Sequence, residues 1–285
     1  MRLISYRRGR TDGIGVMTDD TRFVPLAGAA PDLPTSMLEL IRTKNWQAKV
    51  KRAVKDRRPT GTLDKVELLP VIPDAPVIWC VGVNYKEHAE ETGRGQQTYP
   101  MLFLRVCSGL LAAGAPMVRP KVSEQLDFEG ELAVIIGKEG RHIPESEAFD
   151  YIAGYSIFND GSVRDWQYQT SQFGAGKNFE ATGTFGPWLM TPDEFGDPYK
   201  QLLTTRLNGT VMQHTSISAM DHKIEKLIHH ISTAHTLKPG DVISTGTPGG
   251  VGNRRKPPVW MKPGDTVEVE ITGLGIARNP IVAEE

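Results

Sequence analysis

Residues 127–138 read DFEGELAVIIGK, an apolar strand bound for a protein core that is interrupted near its start by two glutamates. In a strand, residues two apart project from the same face, so Glu129 and Glu131 point together with Cα atoms about 6.6 Å apart. Parallel carboxylates in an apolar setting repel one another and lose hydration. A cation held between them relieves both costs. The spacing by itself also fits the solvent side of a half-exposed sheet, where both charges stay in water.

A second apolar strand, YIAGYSIFND, ends in Asp160, which can supply a third oxygen ligand to the same ion. Asp127 lies on the face of Glu129 and is the reserve ligand. No cysteine or clustered histidine accompanies these acids, and an all-oxygen set favours a hard ion, Mg²⁺ or Mn²⁺.

The run CVGVNYKEHAEETG breaks a strand at Asn84 and continues as a short helix, with Asn84 and Glu87 spaced as a capping box. On that helix His88 and Glu91 are one turn apart, so the carboxylate can orient the imidazole as a general base. Plain surface pairs share this spacing. Downstream of Asp160, the Gly-rich stretch NDGSVRDWQYQTSQFGAGKNF carries Arg164, Gln167 and Lys177; Arg and Lys beside an anionic metal site can hold a substrate carboxylate, though each taken singly also suits an ordinary surface cation. STGTPGGVG lacks both the P-loop ending and the dinucleotide glycine pattern. It can still present backbone N–H groups and the Thr247 hydroxyl to an anion.

Residues 1–70 read as a small α+β unit, with strands at LISY and RFVPL and a helix at SMLELIRTK, followed by a basic, solvated linker. From residue 71 to 285 short apolar strands alternate with Gly and Pro turns, a β-rich pattern. Asn208-Gly209 in TRLNGTVMQ suits a two-residue type I′ hairpin. The clearest helix spans residues 217 to 237, where Met220, Ile224, Leu227, Ile228 and Ile231 share one face. His222, His229 and His230 on it lack the spacing of a zinc motif.

Charged residues make up 24% of the 285 positions and the net charge is −1, so no global field draws the chain to nucleic acid or membrane. Two sparse cysteines, Cys80 and Cys107, read as buried thiols in a reducing compartment. With no run of eighteen apolar residues, the expected location is cytoplasmic.

Taken in order, VGVNYKEHAEE, DFEGELAVIIGK, AGYSIFNDGSVRDWQ, Lys177, GTPGGVG and KPGDTVEVEI resemble the fumarylacetoacetate hydrolase superfamily over Val77 to Ile281. The resemblance implies an α+β fold with a mixed β-roll or barrel-like catalytic domain, a small N-terminal extension and a homodimer. It implies Mg²⁺ or Mn²⁺ on Glu129, Glu131 and Asp160, and a water-activating dyad of His88 and Glu91 on a lid. Lys177 would contact the substrate oxygens at the ion, with Arg164, Gln167 and Thr247 binding a small 2-keto acid. FLRVCSGLLAAGAPMVRP departs from the FLKP-type segment common at that point, and apolar CVGV stands where the large eukaryotic branch has an additional acid. The activity so implied is hydrolysis of a carbon–carbon bond in an acylpyruvate, such as maleylpyruvate or fumarylpyruvate, to pyruvate and a carboxylic acid, in aromatic-compound catabolism. Isomerisation of a hydroxyheptadienedioate, decarboxylation, including that of oxaloacetate, and sugar-acid dehydration use the same enolate chemistry.

Overall fold

The glutamate-bearing strand, Gly130–Ile136, is buried along its whole length and lies inside the largest sheet of a computed structural model that describes residues 1–93, 95 and 97–285. It pairs antiparallel with Ile152–Asn159 on one side and with Val242–Ser244 on the other. Val242–Ser244 in turn runs parallel to Ile78–Gly82. Strands covered on both faces read as continuous apolar runs, which is why LAVIIG and YIAGYSIF carry no polar alternation. The solvent-facing alternative for the two glutamates is thereby excluded.

Side chains of this strand alternate between two cores. Leu132, Val134 and Ile136 pack with the helix Ile224–Ala234 and with Leu203, Val269 and Ile271 of a second sheet. Ala133 and Ile135 pack on the other side with Leu3, Val16, Leu40, Ile41 and Trp46 from the N-terminal stretch. The period-two alternation of a strand thus feeds both layers at once.

The main path of the large sheet runs in the order Gly61–Thr62, Arg22–Pro25, Thr11–Met17, Arg2–Arg8, Gly183–Met190, Ile152–Asn159, Gly130–Ile136, Val242–Ser244, Ile78–Gly82, Met101–Arg105. Strands from residues 1–70 therefore continue the sheet of the later residues through the pairing of Arg2–Arg8 with Gly183–Met190. The path stays open at both ends, so the architecture is strand-rich α+β without a closed barrel. A five-stranded sheet runs Thr210–Ser216, Leu202–Leu207, Thr266–Ile271, Gly275–Ala283, Met117–Arg119. Its first hairpin turns at Asn208 and Gly209, both with positive φ (50° and 79°), as a type I′ turn requires. A small ribbon pairs Leu126–Asp127 with Ser162–Val163 and joins the two acidic segments.

Two sequence expectations are corrected. The helix expected over residues 217–237 spans only Ile224–Ala234, preceded by a separate turn at Ile217–Ala219. Met220 bridges Tyr85, and His222 is held through its backbone N–H and C=O by the Asn84 amide, so residues 220–222 stay out of the helix. Asn84 accordingly does not cap the next helix: Lys86–Thr92 starts after Tyr85 with no side-chain cap, while Asn84 also donates to Thr245 O. Both cysteines are free, Cys80 buried and Cys107 half-buried. Among the described residues no helix is long and apolar enough to cross a membrane.

Leu132 is fully buried in the central strand. Leu132→Ala should destabilise the protein by about 2–5 kcal/mol. Val211→Ala, on the exposed edge strand Thr210–Ser216, should stay within about 0.5 kcal/mol. Urea midpoints of the two variants against the parent test the assignment of the core.

Candidate metal centre and active site

Antiparallel register places the acids. Gly130 is opposite Asn159, so Asp160 emerges beside Glu129, and the Asp160 N–H donates to Glu129 O at 2.8 Å. The Asn159 carboxamide oxygen accepts from Glu129 N at 2.9 Å and fixes the same junction. Glu129, Glu131 and Asp160 are buried, with one carboxylate oxygen of each within 4.8 Å of the others. This buried all-oxygen set fits a hard divalent ion such as Mg²⁺ or Mn²⁺.

Asp127 has another task. One of its oxygens accepts from Gly252 N (2.8 Å) and Phe128 N (2.9 Å), and the other from Asn253 N (3.0 Å) and Arg164 Nε (2.8 Å). Its lone pairs are taken, so it anchors neighbours instead of serving as the reserve ligand. Arg164 Nη2 lies 2.8 Å from Asp127 Oδ2 and 2.6 Å from Glu129 Oε1, and Nη1 donates to Gln167 Oε1 at 2.8 Å. Gly176 permits the close crossing that brings Lys177 in, since a Cβ there would lie 2.4 Å from Gln167 N. Lys177 Nζ sits 2.5 Å from Glu129 Oε2 and 2.7 Å from Asp160 Oδ2, at the centre itself.

A third cation escaped the sequence reading. Arg105 is fully buried and donates from Nη1 to Asp160 Oδ1 (2.5 Å) and Gly161 O (2.9 Å), and from Nη2 to Thr182 Oγ1 (3.1 Å). Its signal was the same as that of the glutamates, a charge at the end of the apolar run MLFLR. Gly183 makes room for it, as a Cβ there would lie 2.6 Å from the guanidinium. Four buried carboxylates (Asp127, Glu129, Glu131, Asp160) thus face three buried cations (Arg105, Arg164, Lys177).

The imbalance falls on Glu131. Burial, then the charges of Asp160 and Glu129, push its pKa well above the ordinary range, against hydrogen bonds from Ser244 Oγ (2.6 Å) and Gly246 N (2.8 Å). Burial also opposes the charge on Glu129, but Arg164 and Lys177 outweigh it and hold that carboxyl down at about 2. For Lys177 burial favours the neutral amine, yet Asp160 and Glu129 prevail and raise its pKa.

His88 is buried and lines one pocket with Glu129, Glu131, Arg164, Gln167, Lys177 and Thr247. Its Nδ1 lies 3.7 Å from Glu91 Oε2, an electrostatic pair too long for a hydrogen bond. Such pairs in catalytic sites often tighten once substrate binds. Burial works against the charge on Glu91, but His88 and the Gly250 N–H outweigh it and lower its pKa. Gly250 N donates to both Glu91 oxygens, at 2.9 and 3.1 Å. The Gly-rich loop therefore does bind anions, but they are the protein's own: Gly246 N holds Glu131, Gly250 N holds Glu91, and Gly252 N holds Asp127. Gly250 is needed there, with φ +96° and a Cβ position 2.2 Å from Met212 O. The Thr247 hydroxyl donates to Gly130 O at 3.1 Å and accepts from Gln213 Nε2 at 2.8 Å, so its proton is committed within the protein. Gln213 ties this loop to the glutamate strand by accepting from Gly130 N at 3.0 Å, a link without a local sequence signal.

The family model for the fumarylacetoacetate (FAA) hydrolase C-terminal region matches residues 77–282. An oxaloacetate tautomerase of Xenopus laevis, named as mitochondrial, is 35% identical over 288 residues, covering 99% of this chain and 90% of the relative. A fumarylacetoacetate hydrolase from Exiguobacterium antarcticum superposes with a TM-score of 0.85 at 33% identity, covering 100% of both chains. Maleylpyruvate hydrolase from Sphingobium sp. SYK-6, solved with manganese(II) and pyruvate, gives a TM-score of 0.82 at 27% identity, again covering 100% of both chains.

Two measurements probe the electrostatics. Arg105→Met leaves Asp160 without its closest cation and should cost about 3–5 kcal/mol in chelator. Because the centre then carries more negative charge, Mn²⁺ should stabilise this variant more than the parent, a comparison thermal melts make directly. Since Glu131 has a raised pKa, an incoming ion must displace its proton, so metal affinity should weaken as pH falls. The limit is about tenfold per pH unit for one proton. Calorimetry in two buffers of different ionisation heat should show up to one proton released per ion.

Proposed function

Given that this chain belongs to the fumarylacetoacetate hydrolase family, we propose that it catalyses metal-dependent proton transfer on a small 2-keto acid, with keto–enol tautomerisation of an oxaloacetate-type diacid as the leading reading. The observation that carries it is the placement of His88 in one pocket with Glu129, Glu131 and Lys177, steered by a carboxylate that is itself anchored to the Gly-rich loop. A divalent ion held by Glu129, Glu131 and Asp160 would supply Lewis-acid polarisation of the 2-keto oxygen.

The chain's own groups do the remaining work. His88 removes a proton from C3 of the keto acid, and Glu91 stabilises the imidazolium that results. Lys177, on Glu129 and Asp160, donates a hydrogen bond toward the oxygen on which negative charge develops. The second proton of the tautomerisation returns from His88 to that oxygen or to C3, according to direction. Gln167 has its carbonyl bound by Arg164, which leaves its amide N–H groups to orient the substrate carboxylate.

A second reading, hydrolysis of an acylpyruvate, rests on the likeness to maleylpyruvate hydrolase at 27% identity over the full chain. There His88 would take its proton from a water that attacks the distal carbonyl, and pyruvate would leave as its enolate. Both readings need the same base, so products separate them.

The test is a parallel assay with Mg²⁺ or Mn²⁺ and with chelator: ultraviolet absorbance of the oxaloacetate enol above its spontaneous rate, and pyruvate release from maleyl-, fumaryl- and acetylpyruvate. Metal-dependent enol conversion without cleavage supports the tautomerase, and matched release of pyruvate and acid supports the hydrolase. His88→Gln should lower turnover by about 10²–10⁴-fold while Mn²⁺ binding is retained. Full turnover by that variant, or turnover indifferent to chelator, would sink the proposal.

A further inference from the structure

Among the described residues, the cations around the candidate centre are spent on the protein's own acids and carbonyls, with one exception at the mouth of the pocket. Arg164 and Lys177 are bound to Asp127, Glu129 and Asp160, and neighbouring Arg255 is tied to Met212 O (2.6 Å) and Gly250 O (3.2 Å). Arg254 also lines the pocket and is exposed; its backbone N–H donates to Val251 O (3.3 Å), while its guanidinium makes no hydrogen bond or ion pair with another described residue. Beside it, Asn253 Nδ2 donates to the Tyr168 hydroxyl oxygen at 2.9 Å. That bond uses a lone pair of Tyr168 and leaves its own proton free to donate.

The mouth is built on the centre itself. Arg254 closes the short turn Gly252–Arg254, and the N–H groups of Gly252 and Asn253 both donate to Asp127. Asp127 in turn holds Arg164, which reaches Glu129. A single bonded chain therefore fixes the backbone from which the Arg254 side chain reaches the pocket.

Charge then decides what this cation is for. Four carboxylates against three cations, with a divalent ion added, leave one net positive charge at the centre. The carboxylate head of a keto acid cancels it. A further negative charge on the substrate finds no partner there, and among the described residues lining the pocket the unpaired cation is Arg254.

We propose that Arg254 and the Tyr168 hydroxyl form a second carboxylate subsite, so that the enzyme selects 2-keto dicarboxylates over keto acids with neutral tails. This rests on the 2-keto acid reading above and narrows its substrate class. Arg254 presents paired N–H donors to the distal carboxylate, and Tyr168 adds a neutral one. Asn253 acts through Tyr168 as a positioning residue.

The test reads binding, independent of turnover. Calorimetry on the Mg²⁺-loaded protein compares 2-oxoglutarate with 2-oxopentanoate, which share the keto-acid head and differ in the charge of the tail. The parent should bind the diacid at least about tenfold more tightly, with the preference shrinking as salt is raised. Arg254→Gln should erase the ratio, Arg254→Lys should keep part of it, and Tyr168→Phe should reduce it about threefold. A parent protein without preference, or a ratio unchanged in Arg254→Gln, overturns the subsite even if tautomerisation or hydrolysis is established. Failure of both acids to bind overturns the keto-acid premise and the subsite with it. A preserved ratio in a protein that turns over none of the candidate substrates would instead keep the subsite and discard the reaction.

Discussion

Burial of negative charge is the constraint around which this molecule is organised. Asp127, Glu129, Glu131 and Asp160 lie within the fold, where ionised carboxylates cost several kcal/mol each unless they are paired and hydrogen-bonded. Three answers operate together. Arg105, Arg164 and Lys177 supply charge, backbone N–H groups supply hydrogen bonds, and Glu131 carries the remainder as a raised pKa. A divalent ion on Glu129, Glu131 and Asp160 would complete the set and draw on the same electrostatic deficit as folding.

The Gly-rich segment after Val242–Ser244 converts that deficit into geometry. Its N–H groups take hold of Glu131, Glu91 and Asp127, which belong to the centre, the base and the mouth respectively. Such close approach needs glycine: at Gly246 a Cβ would lie 2.6 Å from the Asn84 side chain, and at Gly252 it would lie 1.9 Å from Val259 O. Asn84 then connects this loop to the start of the helix bearing His88 through Thr245 O and His222. The relative placement of base, ligands and mouth is thus one hydrogen-bonded unit and not a coincidence of separate loops.

Much of this was legible in the chain. Charges set into apolar runs marked Glu129, Glu131 and Asp160, and the ordered motifs identified the family. The Asn208-Gly209 hairpin followed from turn chemistry alone. Arg105 carries the same signal, but a single cation at a strand end suits a surface equally well. Capping rules count local spacing and so point Asn84 at its own helix, whereas its amide is engaged by residues more than a hundred positions away. Periodicity likewise carries the helix back to residue 217, through residues that tertiary bonds hold out of it.

The sequence by itself determined the chemical inventory: which acids enter a core, which base stands one turn from a carboxylate, and which turns and strands are available. Spacing along a chain encodes those facts because strand and helix periods are local. Only the tertiary structure decided who partners whom. It assigned Lys177 to two of the candidate ligands, removed Asp127 from the ligand set, turned the Gly-rich loop toward the protein's own carboxylates, and left the Arg254 guanidinium at the pocket mouth without a partner among the described residues. Those assignments depend on long-range strand register and on charge balance summed over the whole buried cluster, and no local window of sequence contains either.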